Sequence, residues 1–258
     1  MDYGLSISAS GALTAMYRMD VLANNLANMS TAGFKPDVPV QKQRLVASEQ
    51  DGGRVPSNTL LERLGGGVHQ GITRVSFEQG ALTDSTGTLD LGIQGEGFFV
   101  LRERSEGSAD GLRLTRNGRF TLDSQSRIVH ADSGMPVLSS VNDAITVNPT
   151  VPVRVNGDGS VWQNGTRIAK IRLAKVPDTS RLTKVGQSMF TAPAETLSSK
   201  LDATGIVRQG ALEQSTVDPL SATMQITSAA REFESNITMM QQGNRMLDRA
   251  INGLGRVA

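Results

Sequence analysis

Two histidines, His69 and His130, and no cysteine are the only side chains besides carboxylates that could hold a transition metal in this 258-residue chain. A zinc or iron site gathers several such ligands at recurring spacings. Neither histidine has one, since no His-x-x-x-His, Glu-x-x-His or Cys-x-x-Cys occurs. Acid–base chemistry would need paired carboxylates, and the pairs on offer are Glu103 with Glu106 and Glu232 with Glu234. The first reads as part of a turn and the second as a helix surface, where solvated charge is the ordinary state. Asn156-Gly-Asp-Gly159 is similar to the start of a calcium loop but lacks the rest of the oxygen ladder, so it reads as a hairpin turn. Gly95-Glu-Gly97 has no third glycine and no strand-to-helix crossover after it, which excludes a dinucleotide loop. No Gly-x-Ser-x-Gly elbow supplies a nucleophile. The expectation is a protein that is not an enzyme, with no cofactor and no metal.

Charge and composition narrow the partners. Lysine and arginine number 26 against 25 acidic residues, a net charge of +1, and no dense basic cluster breaks that balance. Nucleic acid and anionic membrane surfaces are therefore poor partners. Aromatic residues make up 4% with a single Trp, which leaves few anchors for a small-molecule substrate. The start, Met-Asp-Tyr-Gly, has neither the basic region nor the apolar run of a secretory signal, and no window approaches the unbroken apolar length that spans a bilayer. Passage out of the cytoplasm would have to proceed without a cleaved signal peptide.

The elements that would position any site lie at the two ends. Leu5, Ala9, Ala12, Met16, Met19, Ala23 and Leu26 alternate spacings of four and three, the pattern of a heptad seam on a helix over about residues 4–29. Ile226, Ala230, Phe233, Ile237, Met240, Asn244, Leu247, Ile251 and Leu254 repeat it near the C-terminus. That second helix should start at Asp218-Pro219, an acceptor at the N-cap followed by proline at the first helical position. Asn244 either sits in the seam, where a buried amide sets register, or faces solvent beside Gly243. Gly4 and Gly11 each cost the first helix about 1 kcal/mol, and alanine fills much of its stripe. Both helices should therefore be marginal alone and ordered by packing against each other or against other chains. Gly33 and Pro36 end the first of them.

Between the helices the chain reads as β structure. Residues 36–78, broken by Pro36, Pro39, Gly52-Gly53, Pro56 and Gly65-Gly66-Gly67, read as an extended arm with a few helical turns around Val40 to Gln50. Leu89–Ile93 and Gly97–Leu101 read as strands, the second apolar on both faces. Leu112–Leu122 reads as a hairpin with a bulged three-residue loop at Asn117-Gly118-Arg119, which puts Leu112, Leu114, Phe120 and Leu122 on one face. Short strands follow, separated by Ser133-Gly134, Asn156–Gly159 and Asn164-Gly165. The fold class is α+β: N- and C-terminal helices forming a coiled-coil-like module around an inserted antiparallel all-β domain. Its parts are residues 1–35, the helix and exit motif; 36–78, the arm; 79–212, the β domain; and 213–258, the C-terminal helix packing with the first.

The sequence resembles the bacterial flagellar rod and hook proteins. The resemblance is carried by Ala23-Asn-Asn-Leu-Ala-Asn28 with Thr31, Gly33, Phe34 and Lys35, then by Gln79-Gly-Ala-Leu82 and Leu89-Asp-Leu-x-Ile-x-Gly-x-Gly-Phe-Phe-Val100. Thr115-Arg-x-Gly-x-Phe120, Gln209-Gly-x-Leu-Glu213 and Arg231-x-Phe-Glu-x-Asn236 extend it in the same order. Thr216 stands where that family usually has Asn, and Ser221–Met224 replaces a more acidic pattern. Met1-Asp2 and Ile171–Val176 look more like the proximal than the distal rod proteins. The resemblance implies a structural subunit of the flagellar basal-body rod, exported by the flagellar type III apparatus and polymerised in the periplasm with itself and with other rod and hook proteins. It implies that the two seams, with Asn24, Asn25, Asn28, Thr31, Gly33 and Phe34, form subunit interfaces. A secreted β-rich carbohydrate-binding or hydrolase module with a coiled-coil oligomerisation tail is the alternative, and would need clustered carboxylates or an aromatic platform.

Overall fold

A computed structural model describes residues 2–45, 66–103, 111–193 and 204–254. The chain forms two compact units: residues 1–27, 37–75 and 217–258 make one, and residues 28–36 and 76–216 make the other.

The first unit is built on two helices, α1 (Asp2–Ala27) and α2 (Pro219–Leu254). Asp218 caps α2, its carboxylate accepting from the N–H of Leu220 at 3.3 Å and of Ser221 at 3.1 Å. The helices run antiparallel. Arg18 lies 3.9 Å from Glu232, a Cβ on Gly11 would stand 2.9 Å from Asn236 Oδ1, and one on Gly243 would stand 3.1 Å from Leu5 Cδ2. Falling numbers on one helix thus meet rising numbers on the other.

Four short strands lie with α1: β1 (Asp37–Val38), β2 (Gln41–Gln43), β3 (Val68–Gln70) and β4 (Arg74–Val75). They pair antiparallel as β1 with β4 and β2 with β3. Polar side chains of α1 hold them. Both ends of the Asn25 amide engage residue 37, Nδ2 donating to its C=O at 2.7 Å and Oδ1 accepting from its N–H at 2.9 Å. Tyr17 bonds Thr73, and Ser10 Oγ accepts from the Val68 N–H at 3.4 Å. Part of the sequence-read helical turns of residues 40–50 lies outside the described residues, but residues 41–43 are strand.

The second unit is antiparallel β throughout its described strands. It contains β5 (Leu82–Asp84), β6 (Leu91–Gln94), β7 (Phe98–Arg102), β8 (Leu112–Thr115), β9 (Phe120–Leu122), β10 (Ile128–His130), β11 (Arg154–Val155), β12 (Ser160–Gln163), β13 (Thr166–Lys170), β14 (Leu173–Ala174), β15 (Thr183–Gly186), β16 (Met189–Thr191), β17 (Ile206–Gln209) and β18 (Ala211–Glu213). The largest sheet runs in the order β14-β7-β8-β16-β15, a three-stranded sheet in the order β11-β12-β13, and β9–β10, β6–β17 and β5–β18 form pairs.

As its continuous apolar run implies, β7 is covered on both faces. Phe99 meets Phe120 edge-on at 5.0 Å, while Phe98 meets Phe77 at 5.8 Å and Phe190 at 6.1 Å. Leu91, Ile93, Leu101, Ile128, Val161 and Val207 complete the core around Phe99. The expected hairpin over Leu112–Leu122 does not form, because β8 pairs with β7 and β16 whereas β9 pairs with β10. The physical reason lies in the connector. Asn117 is buried, its amide donating to Asp132 at 2.9 Å, and the Gly118 C=O accepts from the Leu91 N–H at 2.9 Å. A Cβ on Gly118 would sit 1.6 Å from the Leu91 oxygen. The Asn-Gly pair thus passes the chain from one sheet to another under β6 instead of reversing it.

Candidate assembly interface

The side chains of α1 and α2 that meet are small. Among the described residues, the buried apolar ones on the two helices are Ala12, Ala15, Leu22, Ala222 and Ala229, four of the five being alanine. Such a contact allows close approach but removes little apolar area, at roughly 25 cal/mol per Å2. The phase of the contact differs from the phase of the hydropathy pattern. On α2, Ile226, Phe233, Met240 and Leu247 are half-buried, but the positions between them that face α1 are Ala229, Asn236 and Gly243. Of the residues that hydropathy selected between them, Ala230 and Ile237 are half-buried at the edge of the contact, and Asn244 faces solvent.

On α1, Leu5, Ala9, Met19 and Leu26 are half-buried and Ala12 is buried, whereas Met16 and Ala23 are exposed. Asn25 is buried, Asn24 is exposed, and Asn28 is half-buried. The side chain of Leu254 lies outside the described residues. Gly243 stands opposite Leu5, so the end of α2 continues past the start of α1, and Ile251, one position beyond the phase of the contact, is 67% exposed. Leu13, Leu220, Met224, Met239 and Met246 are also more than half exposed. Leu5, Met239, Gly243 and Met246 line a shallow groove along the pair.

In the β unit, residues separated by most of the chain form one buried polar cluster. Lys35 Nζ donates to Glu213 Oε1 at 2.6 Å and to the Glu78 C=O at 2.6 Å, and Arg116 Nη1 lies 3.2 Å from Glu213 Oε2. The side chains are 2%, 0% and 8% exposed for Lys35, Glu213 and Arg116. Glu213 also accepts from the Gly80 N–H at 3.0 Å, and Arg116 Nη2 donates to the Gly95 C=O at 2.8 Å. Burial pushes both the Lys35 ammonium and the Arg116 guanidinium below their ordinary values, with Glu213 opposing the shift.

The backbone closes the same knot. The Gly33 N–H donates to the Glu213 C=O at 2.7 Å, and Gly33 sits at φ +63°, where a Cβ would meet the Asn117 nitrogen at 2.3 Å. Phe34 is buried, with Lys184 Nζ 4.7 Å from its ring centre. Thr31 Oγ1 donates to Asn28 Oδ1 at 3.3 Å.

Two glutamines act as staples. Gln79 donates to the Ile93 C=O at 3.1 Å and accepts from the Gly95 N–H at 3.0 Å, and Gln209 bridges the Val153 C=O and the Val155 N–H at 2.9 and 2.8 Å. Sequence reasoning placed Lys35, Arg116 and Glu213 in three separate motifs and gave none of them a role. The available signal was that each is the one charged residue specified in a motif otherwise made of uncharged residues.

His130 is buried, with Nδ1 2.9 Å from Ser133 Oγ, and burial lowers its pKa. His69 lies on β3 opposite Lys42. No group of three metal-binding side chains gathers among the described residues. No described helix is long and apolar enough to cross a membrane.

Comparison with known proteins matches three family models along the chain. Residues 5–35 match the flagella basal body rod protein family, residues 92–163 the flagellar hook protein FlgE/F/G D1 domain, and residues 208–253 the flagellar basal body rod FlgEFG protein C-terminal family. Among similar proteins, the flagellar basal-body rod protein FlgF of Caulobacter vibrioides is 31% identical over 259 residues, covering 100% of both chains. FlgF of Rhizobium meliloti is 30% identical, covering 99% of both. The flagellar basal-body rod protein FlgG of Caulobacter vibrioides is 30% identical, covering 94% of this chain and 96% of its own.

Proposed function

The chain belongs to the flagellar basal-body rod protein family, and from that membership we propose that it is a structural subunit of the proximal rod, which polymerises through its terminal helices and carries out no catalytic step. The observation that carries the mechanism is the unfinished state of the helical unit. Ile251 is 67% exposed where α2 runs past the start of α1, and Met239 and Met246, which line the groove along the helix pair, are 61% and 63% exposed. Neighbouring subunits of the rod supply the missing apolar surface. Contacts of one surface with a different surface of the next copy propagate as a helix instead of closing a ring.

The exposed members of the two seams, Met16, Ala23, Asn244 and Ile251, together with Asn24 and the half-buried Ala230 and Ile237, are the residues assigned to these contacts. Buried Asn25 acts on assembly indirectly, through the strand it holds. Gly33 and Phe34 act likewise, by fixing the β unit. The partners are further copies and other axial proteins of the rod and hook. The flagellar type III apparatus exports the chain, and the site of action is the periplasmic part of the basal body.

Electron microscopy of basal bodies tests the reading. Cells whose gene is deleted should stall with an incomplete rod, and the wild-type chain should restore it. Intact rods in the deletion strain would overturn the proposal.

A further inference from the structure

We propose that the outer face of the β11–β12–β13 sheet binds a saccharide that carries carboxylate groups. Trp162, at the centre of β12, stands opposite Arg154 of β11 on one side and Arg167 of β13 on the other. Residues paired across strands share a face, so an indole lies between two guanidinium groups there. Neither guanidinium group makes an ion pair or hydrogen bond to a described residue. Across residues 151–170 there are three basic residues, Arg154, Arg167 and Lys170, and one acid, Asp158. That acid is engaged within its own turn, accepting from the Ser160 N–H at 3.0 Å and Ser160 Oγ at 2.6 Å. This stretch therefore carries more positive than negative charge, and its one acid is engaged within its own turn.

Its shape is that of a site. Arg154, Asn156, Trp162 and Asn164 line a depression of about 360 Å3, with Pro152 at one end, within the range of small-molecule pockets. The wall is held from behind. Gln163 Nε2 donates to the C=O groups of Asn148 and Val151, each at 2.9 Å, and its Oε1 accepts from the Asn148 N–H at 2.9 Å. Gln209 grips β11 on both sides of Arg154, at Val153 and Val155. The Asn164-Gly165 turn, at φ +48° and +76°, joins β12 to β13 by two residues and sets Asn164 at the rim.

Each lining group matches one part of the ligand. The negative face of the indole takes the C–H side of a pyranose ring. The amides of Asn156 and Asn164 exchange hydrogen bonds with hydroxyls. The Arg154 fork takes a carboxylate in a two-point contact, and the Arg167 fork, on the other side of the indole and outside the depression, takes a second. A neutral sugar would leave the two charges unused. An acidic peptide would use them but has no ring to lay on the indole and few hydroxyls for the amides.

Trp162 is the only tryptophan in the chain, so the emission of the intact protein reports on this face alone. Titration with tetragalacturonate should give a saturable change in that emission. Arg154→Gln and Arg167→Gln should each weaken it at least about tenfold without moving the thermal unfolding midpoint. Absence of a saturable change would overturn the proposal. So would equal affinity for uncharged maltotetraose, which would remove the arginines from the site, and so would tighter binding of a polyglutamate peptide, which would make the face a protein-docking surface. The readout does not depend on assembly, so its failure leaves the rod-subunit reading standing.

Discussion

One guanidinium and one ammonium group share a single carboxylate at the heart of the β unit, and that imbalance makes the three residues unequal. Glu213→Gln would leave Lys35 and Arg116 buried with no counter-charge, which costs about 3–5 kcal/mol. Lys35→Met would leave Glu213 paired with Arg116 and the Gly80 N–H, so its cost should be smaller, roughly 1–3 kcal/mol. Urea unfolding of both variants and of the double variant checks this order, and equal losses would contradict the charge arithmetic. Glycines separate as sharply. Gly33→Ala places a Cβ against fixed backbone at 2.3 Å and should cost on the order of 4 kcal/mol or more, while Gly165→Ala, at φ +76° in open space, should cost about 1 kcal/mol. Burial lowers the pKa of His130, so the unfolded chain takes up its proton first. Stability should therefore be complete above about pH 6.5 and fall as the pH drops through the interval down to the lowered folded value. Thermal melts between pH 7.5 and 5.5 should show that loss in the wild type and much less of it in His130→Gln.

At the scale of the element, the helices show where hydropathy misleads. A stripe of apolar residues names Ile237, Asn244 and Ile251, because the eye follows bulk and spacing. Close packing instead selects Ala229, Asn236 and Gly243, since small groups let two backbones approach and the Asn236 amide lies over Gly11. Gly11, which looked like a defect in helix propensity, is a contact position, whereas a Cβ on Gly4 would meet nothing within 4 Å. Exposed Ile251 separates folding from assembly. Ile251→Asp should change the stability of the free protein by less than about 0.5 kcal/mol yet abolish incorporation into the rod, judged by complementation and basal-body microscopy. Leu22→Asp, at a position only 5% exposed, should melt the helical unit in the free protein. The hairpin expected at Asn117-Gly118 fails for a related reason, since turn statistics describe solvated loops and this one is buried under β6.

Across the whole molecule the two units differ in what holds them. The β unit buries Phe99, Leu91, Ile93, Leu101 and their neighbours completely, whereas the helical pair buries one leucine and four alanines. Hydrogen exchange on dilute protein should accordingly show amides of α1 and α2 exchanging orders of magnitude faster than those of β7 and β8. Helix amides as slow as the β core would argue that the terminal helices need no neighbours. This contrast suits a chain that must stay a monomer until it joins a polymer, because ordering entropy at the ends is offset only when further apolar area is covered.

The order of elements, the two terminal helices, the N-cap at Asp218, the doubly buried strand β7 and the family itself are written in the sequence, because each depends on local periodicity, capping chemistry or contiguous motifs. The partners of Lys35, the phase of the helix contact and the sheet to which each half of residues 112–122 belongs were decided only by the tertiary structure. Lys35 and Glu213 are 178 positions apart along the chain. Their pairing follows from which backbones can approach at Gly33, Gly80 and Gly118, a steric matter in three dimensions that no spacing along one dimension records.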